Sequence, residues 1–117
     1  MITGIVTDDG TPIIEIQIAG QTWTAIIDTG FNSFLELPDA LRPMLHPRFL
    51  WEALYYLAAG QTVVQELYEV QFPFDGVLMK AEATFVAGND ILLGTAMLRH
   101  HRLEINFPSR SVLIERV

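Results

Sequence analysis

The stretch AIIDTGFNSFLELP, Ala25 to Pro38, decides how the rest of the chain is read. An acid, Asp28, closes an apolar run. Thr29 and Gly30 follow it at once, and apolar residues then resume. The run before it, TWTAII, comes after the turn signal AGQT and reads as a returning strand, so Asp28 falls where a strand ends, partly desolvated. Gly30 permits either a backbone conformation closed to other residues or the close approach of another chain. Thr29 offers a hydroxyl able to bond across a tight contact. Together they suit one carboxylate held at a fixed depth at the edge of a core.

The surrounding composition narrows the setting. The 117 residues suffice for one domain spanning 1–117 and are half apolar, so a core is within reach. A net charge of -7 argues against nucleic acid as a partner and against a polybasic membrane patch. With no cysteine, a disulfide framework, a thiolate metal site and a cysteine nucleophile are excluded. The opening MITGIVTDDG lacks the basic start and apolar run of a signal peptide, and no stretch approaches the ~18 apolar residues of a membrane span. The expectation is a cytoplasmic protein with no membrane partner.

Punctuation along the chain is that of a β protein. ITGIVT ends at the turn signal DDGTP, and in PIIEIQIAG three isoleucines alternate with Ile13, Glu15 and Gln17. PDALRPML, with Leu41, Met44 and Leu45 at helical spacing, predicts a short helix limited by Pro43. FLWEALYYL and TVVQELYEVQF predict one long hairpin over about residues 49–72, turning at AAGQ. PFDG precedes a strand VLMKAEATFVA, AGND breaks the chain, and ILL reads as a short buried strand. GTAMLRHH has helix-forming composition over about two turns. LEINF and SVLIE close the chain as two strands joined by PSR. Short strands at this spacing with one or two short helices predict a mostly β fold, a small barrel or sandwich.

A lone carboxylate is of limited use for hydrolysing an amide. Two carboxylates about 3 Å apart cannot both ionise, so they share a proton. One then takes a proton from water while the other polarises the carbonyl. The chain carries a single Asp-Thr-Gly, so a second acid has to come from a second copy across a two-fold axis.

On these residues the chain resembles the retropepsin-like aspartic peptidases, most closely the small prokaryotic branch with DTGF followed by LELP. The similarity runs from Ile13 to Glu115. It includes ILLGTAMLRHHRLEINFPSRSVLIE, which fits the family pattern of two apolar residues and a glycine, a short helix and closing strands. The resemblance implies an acid-protease barrel, closed or partly open, and a homodimeric aspartic endopeptidase needing no cofactor and no metal. It implies Asp28 as the catalytic residue, with Thr29 locking two loops across the dimer axis and Gly30 letting them approach. Phe31 stands where retropepsins usually have Ala and pepsin-like enzymes Ser or Thr. Leu92, Leu93 and Gly94 would form the structural apolar-glycine motif, and Ala58, Ala59, Gly60 and Gln61 the tip of a flap over an extended peptide substrate. The terminal strands MITGIV and RSVLIERV are the material for an intersubunit sheet, since apolar edges otherwise invite aggregation.

Other acids read as local structure. Asp8, Asp9 and Asp75 belong to turns and Asp39 to a helix start, while Asp90, just before ILLG, is the one rival to Asp28. His46, His100 and His101 lack the spacing of a metal site, and the last two suit a helix C-terminus. Trp51, Tyr55 and Tyr56 fit a peptide cleft, core packing or a dimer contact. An alternative from another class stays open, favoured by Phe31, which has no hydroxyl to tune the carboxylate: a non-catalytic peptide- or protein-binding module on the same fold.

Overall fold

Period-two alternation sets the first buried face. In β2 (Pro12–Ile18) Ile14, Ile16 and Ile18 are buried and Glu15 and Gln17 exposed, as a pleated strand requires. A turn at Ala19 and Gly20, both at positive φ, returns the chain as β3 (Gln21–Ile27), antiparallel to β2. In the computed structural model, which describes residues 1–117, these two strands belong to one ten-stranded sheet. The other strands are β1 (Ile2–Val6), β4 (Leu35–Pro38), β5 (Arg48–Tyr56), β6 (Thr62–Phe74), β7 (Val77–Val86), β8 (Ile91–Leu93), β9 (His101–Asn106) and β10 (Ser111–Arg116). Their order is β5-β6-β7-β4-β8-β3-β2-β1-β10-β9, so the mostly β expectation holds with the sheet left open and β5 and β9 as its edges. The sheet bends until β2 touches β6. It thereby encloses an apolar cluster that takes in Leu37, Phe72, Ile91, Leu93 and Ile114.

The expected helices are shorter than their composition suggests. A 3-10 turn at Asp39–Leu41 leads into a four-residue helix, α1 (Arg42–Leu45), with Pro43 in its first turn and left-handed His46 at its end. GTAMLRHH gives only a 3-10 turn, Thr95–Leu98. His101 is already drawn into β9, opposite Arg116, with its ring edge-on to Phe74 at 5.3 Å. It therefore serves a strand and not a helix end.

The predicted hairpin is present and longer than expected. β6 continues through Pro73 and Phe74 to the Asp75–Gly76 turn. Only its second half, from Tyr68, pairs with β7; from Trp51 to Leu67, β5 and β6 have each other alone. A register shift between Phe49 and Trp51 marks a bulge at the base of this free ribbon, a feature that bends and twists a strand. The base is pinned by stacking. The Arg42 guanidinium lies 4.9 Å from the Tyr68 ring centroid and 4.4 Å from that of Phe85, and Phe49 meets Tyr68 edge-on.

The terminal strands, expected as material for an intersubunit sheet, are paired with each other within the chain and are not its outer edges. β1 pairs with β10 from Ile2↔Ile114 to Ile5↔Ser111 and with β2 at Ile5 and Val6, while β10 pairs also with β9. The two ends of the chain satisfy each other's backbone groups. The free edge on that side is β9, where exposed Arg102, Glu104 and Asn106 supply the polar blunting common on unpaired edges.

Two outcomes follow for stability. Leu37 is fully buried, and Leu37→Ala is expected to cost about 3 kcal/mol, read as a lower urea midpoint at unchanged slope. Asp75 accepts a hydrogen bond from the Met1 ammonium and lies 3.7 Å from His101 Nε2. The ammonium bond is the main cause of a carboxyl held below its ordinary value of 3.8, with His101 adding to it. A lowered folded-state pKa gives stability that is present above the unfolded value and lost as pH falls through the folded one. Asp75→Asn keeps a residue suited to the left-handed turn. Thermal midpoints of variant and wild type should therefore differ above pH 3.8 and converge in stronger acid.

Candidate active site

A crossing of strands places Asp28. β8 runs parallel to β3, Ala25↔Ile91 to Ile27↔Leu93, and antiparallel to β4, Leu35↔Leu93. It is thus inserted between two strands that are neighbours in sequence. The segment 28–34 must arch over the end of β8, carrying the Asp-Thr-Gly with it. Asp28 N–H donates to the Leu93 carbonyl at 3.0 Å, which ties the acid to the strand end. Its Oδ1 accepts from the Gly30 N–H at 2.9 Å, so a backbone donor fixes the carboxylate's orientation. Asp28 is half-buried, and Thr29 and Gly30 beside it are exposed.

Gly94 holds the arch from below. Its N–H donates to the Phe34 carbonyl at 2.9 Å, and the next two N–H groups, of Thr95 and Ala96, donate to the carbonyls of Phe31 and Ser33. A Cβ at Gly94 would lie 2.0 Å from the Ser33 oxygen and 2.7 Å from the Phe31 ring. This close approach admits only glycine. Leu93 is buried in the core and Leu92 half-buried beside it. Gly30 differs: its φ lies outside the left-handed region, and a Cβ there would meet only Asp28 Oδ1, at 3.3 Å. Of the two reasons for a glycine at this point, a special backbone conformation is therefore removed.

Phe31 lines a cleft of about 770 Å³ between the arch and the free ribbon. The ribbon's Tyr55, Tyr56, Leu57 and Val63 form the other wall, and Trp51 stands 47% exposed outside it. The ribbon tip is Ala58–Gly60, closed by Leu57 N–H to the Gln61 carbonyl at 2.7 Å. Ala59 and Gly60 are both left-handed, a cost of about 1 kcal/mol for the alanine. The predicted flap residues Ala58, Ala59, Gly60 and Gln61 thus lie at the end of a projecting hairpin. All four are exposed.

Asp90 stands apart. It precedes Ile91, at the end of β8 remote from Asp28, and borders a surface groove with Asp8, Asp9 and Thr24. No group of three His, Asp or Glu side chains is placed to hold a metal ion. The cleft floor contains residues that the sequence reading did not single out: Glu36 of β4 with Glu82 and Thr84 of β7. The signal for Glu36 lay in LELP, where buried Leu35 and Leu37 send the acid between them to the opposite face.

By sequence the chain matches no family model and no curated protein. By structure it is similar to a retropepsin-like aspartic protease from Rickettsia conorii. The TM-score is 0.69 at 15% identity, covering 97% of this chain and 88% of that one. It is also similar to the simian foamy virus (mac) protease, with a TM-score of 0.58 at 23% identity, covering 74% of this chain and 90% of that one. The fold is retropepsin-like. The arch over β8 carries Asp28, and Phe31 to Phe34 of the same arch face the ribbon's Tyr55, Tyr56 and Leu57 across the cleft, whose lining does not include Asp28.

The two glycines should respond differently to substitution. Gly94→Ala forces the arch off β8 and is expected to cost about 3 kcal/mol, or to prevent folding. Gly30→Ala should leave the thermal stability of the isolated subunit within about 0.5 kcal/mol. Calorimetry on dilute protein checks both.

Proposed function

We propose that the protein is a homodimeric aspartic endopeptidase that hydrolyses peptide bonds with one Asp28 from each subunit. The observation that carries this reading is the Asp28–Gly30 segment, with Asp28 half-buried and Thr29 and Gly30 exposed beside it. Its carboxylate is oriented by the Gly30 N–H, and the glycine has neither a left-handed φ nor a backbone neighbour in its own chain, a Cβ there pressing only on Asp28 Oδ1 at 3.3 Å. A second copy related by a two-fold axis would bring the same loop opposite itself, and Gly30 would then give the two backbones room. The contact would run through the Asp28 loops, with the terminal strands, already paired with each other at β1 and β10, beside them.

The chemistry follows from the shared proton. The ionised carboxylate takes a proton from a water held between the pair, and the water oxygen bonds to the scissile carbonyl carbon. The protonated carboxyl gives its proton to the carbonyl oxygen. Collapse of the resulting diol breaks the C–N bond, the nitrogen takes a proton, and the dyad regains its single shared one. Extended peptide in the cleft would be held partly by strand-like backbone bonds to the ribbon. Phe31 fits this reading as a wall of the cleft. The same residue is what favours the second reading, a peptide-binding module that cuts nothing.

Incubation with an unfolded protein from about pH 3 to 7, with and without a pepstatin-type inhibitor, separates the two. Inhibitor-sensitive cleavage that disappears in Asp28→Asn is expected. Cleavage that survives Asp28→Asn refutes the assignment of Asp28. Binding without cleavage at any pH establishes the module.

A further inference from the structure

The cleft beside the Asp28 loop has an apolar upper wall and an acidic floor. Glu36 and Thr84 are directly paired in the parallel β4–β7 register, and Glu82 lies two residues before Thr84 on the same face of β7. The two glutamates are thus diagonal neighbours, about 7 Å apart at the backbone. Neither makes a salt bridge. The nearby Glu69, opposite Glu82, is by contrast neutralised by Arg48 at 3.3 Å. Thr84 is only 8% exposed, lines the cleft, and its hydroxyl has no hydrogen-bond partner within the chain. Arg99 also borders this cleft, but its guanidinium lies over the Phe34 ring and pairs with neither glutamate.

Two carboxylates on one face of the cleft with no counter-ion offer a place for a cation, and the Thr84 hydroxyl beside them is not taken up by any bond within the chain. One guest suits both, a cationic group with hydrogen-bond donors. The walls above the floor are Phe31, Tyr55 and Val63, which suit an aliphatic stem. A side chain with a long apolar stem and a charged head has that form. The chain's net charge of -7 favours the approach of basic segments as well.

We propose that this cleft is a specificity pocket for a lysine or arginine side chain of the bound peptide, with Glu36 and Glu82 as its charge-reading residues and Thr84 as a further acceptor. The proposal rests on the cleft being the peptide-binding site. It adds what the peptide must present there.

The test uses full-length Asp28→Asn, which holds peptide without cutting it, and fluorescent decapeptides of leucine, alanine and glutamine. Lysine is scanned through each position against methionine of similar length. Anisotropy titrations at low salt should show one position where lysine binds about tenfold tighter than methionine. That preference should vanish in Glu36→Gln/Glu82→Gln, whose fold is checked by circular dichroism. Equal affinity for lysine and methionine at every position overturns the proposal, as does a preference that survives the double substitution, or failure of every peptide to bind. Wild-type cleavage of the same peptides is scored separately. Peptides that bind with the lysine preference but are never cut refute the peptidase reading and leave the pocket in place.

Discussion

Everything at the candidate site depends on a three-residue strand wedged where sequence neighbours would otherwise meet. β8 enters between β3 and β4, so the segment joining them cannot form a turn in the sheet and has to arch across the strand's end. The arch is held from below by three successive N–H groups, Gly94 to Ala96, and from the side by the Asp28 N–H to Leu93. These bonds require the backbones to touch, and a glycine at residue 94 is what lets them do so. The place of Asp28 is therefore set by backbone bonds, and its carboxylate takes a further one from the Gly30 N–H.

The ribbon above the arch has the opposite character. It is an isolated pair of strands beyond Trp51 and Leu67, and two strands alone are marginally stable in water. Its base is fixed by the Arg42, Tyr68 and Phe85 stack, while its far end carries Tyr56 at 79% exposure. A backbone-held acid and a loosely supported hairpin fit the proposed hold on an extended peptide. It also accounts for why so much apolar surface is left uncovered at that end.

Features that depend on near neighbours were legible in the sequence. The strand before Asp28, the long hairpin and the two closing strands follow from alternation and from Gly, Asn, Asp and Pro at the turns. Features that depend on distant pairing were not. The alternation in LELP turns Glu36 away from the core, but only the pairing of β4 with β7 and β8 brings it beside Thr84 and Glu82. The pairing of β1 with β10 joins the two ends of the chain, and apolar composition alone cannot distinguish an edge from a strand already paired. The second helix failed for a related reason: local propensity in GTAMLRHH gave way to the register that takes His101 into β9. Asp28 could be singled out because the triplet is local; the glycine that fixes its arch, Gly94, owes its necessity to a contact across some sixty residues.

The central claim is that the Asp28 loop is half of a site completed by a second copy. A crystal structure of the protein with a pepstatin-type inhibitor tests it most directly. Two subunits about a two-fold axis are expected, their Asp28 carboxylates about 3 Å apart and both against the inhibitor's central hydroxyl. An inhibitor-free monomer, or a dimer in which the two Asp28 side chains face away from each other, would contradict it.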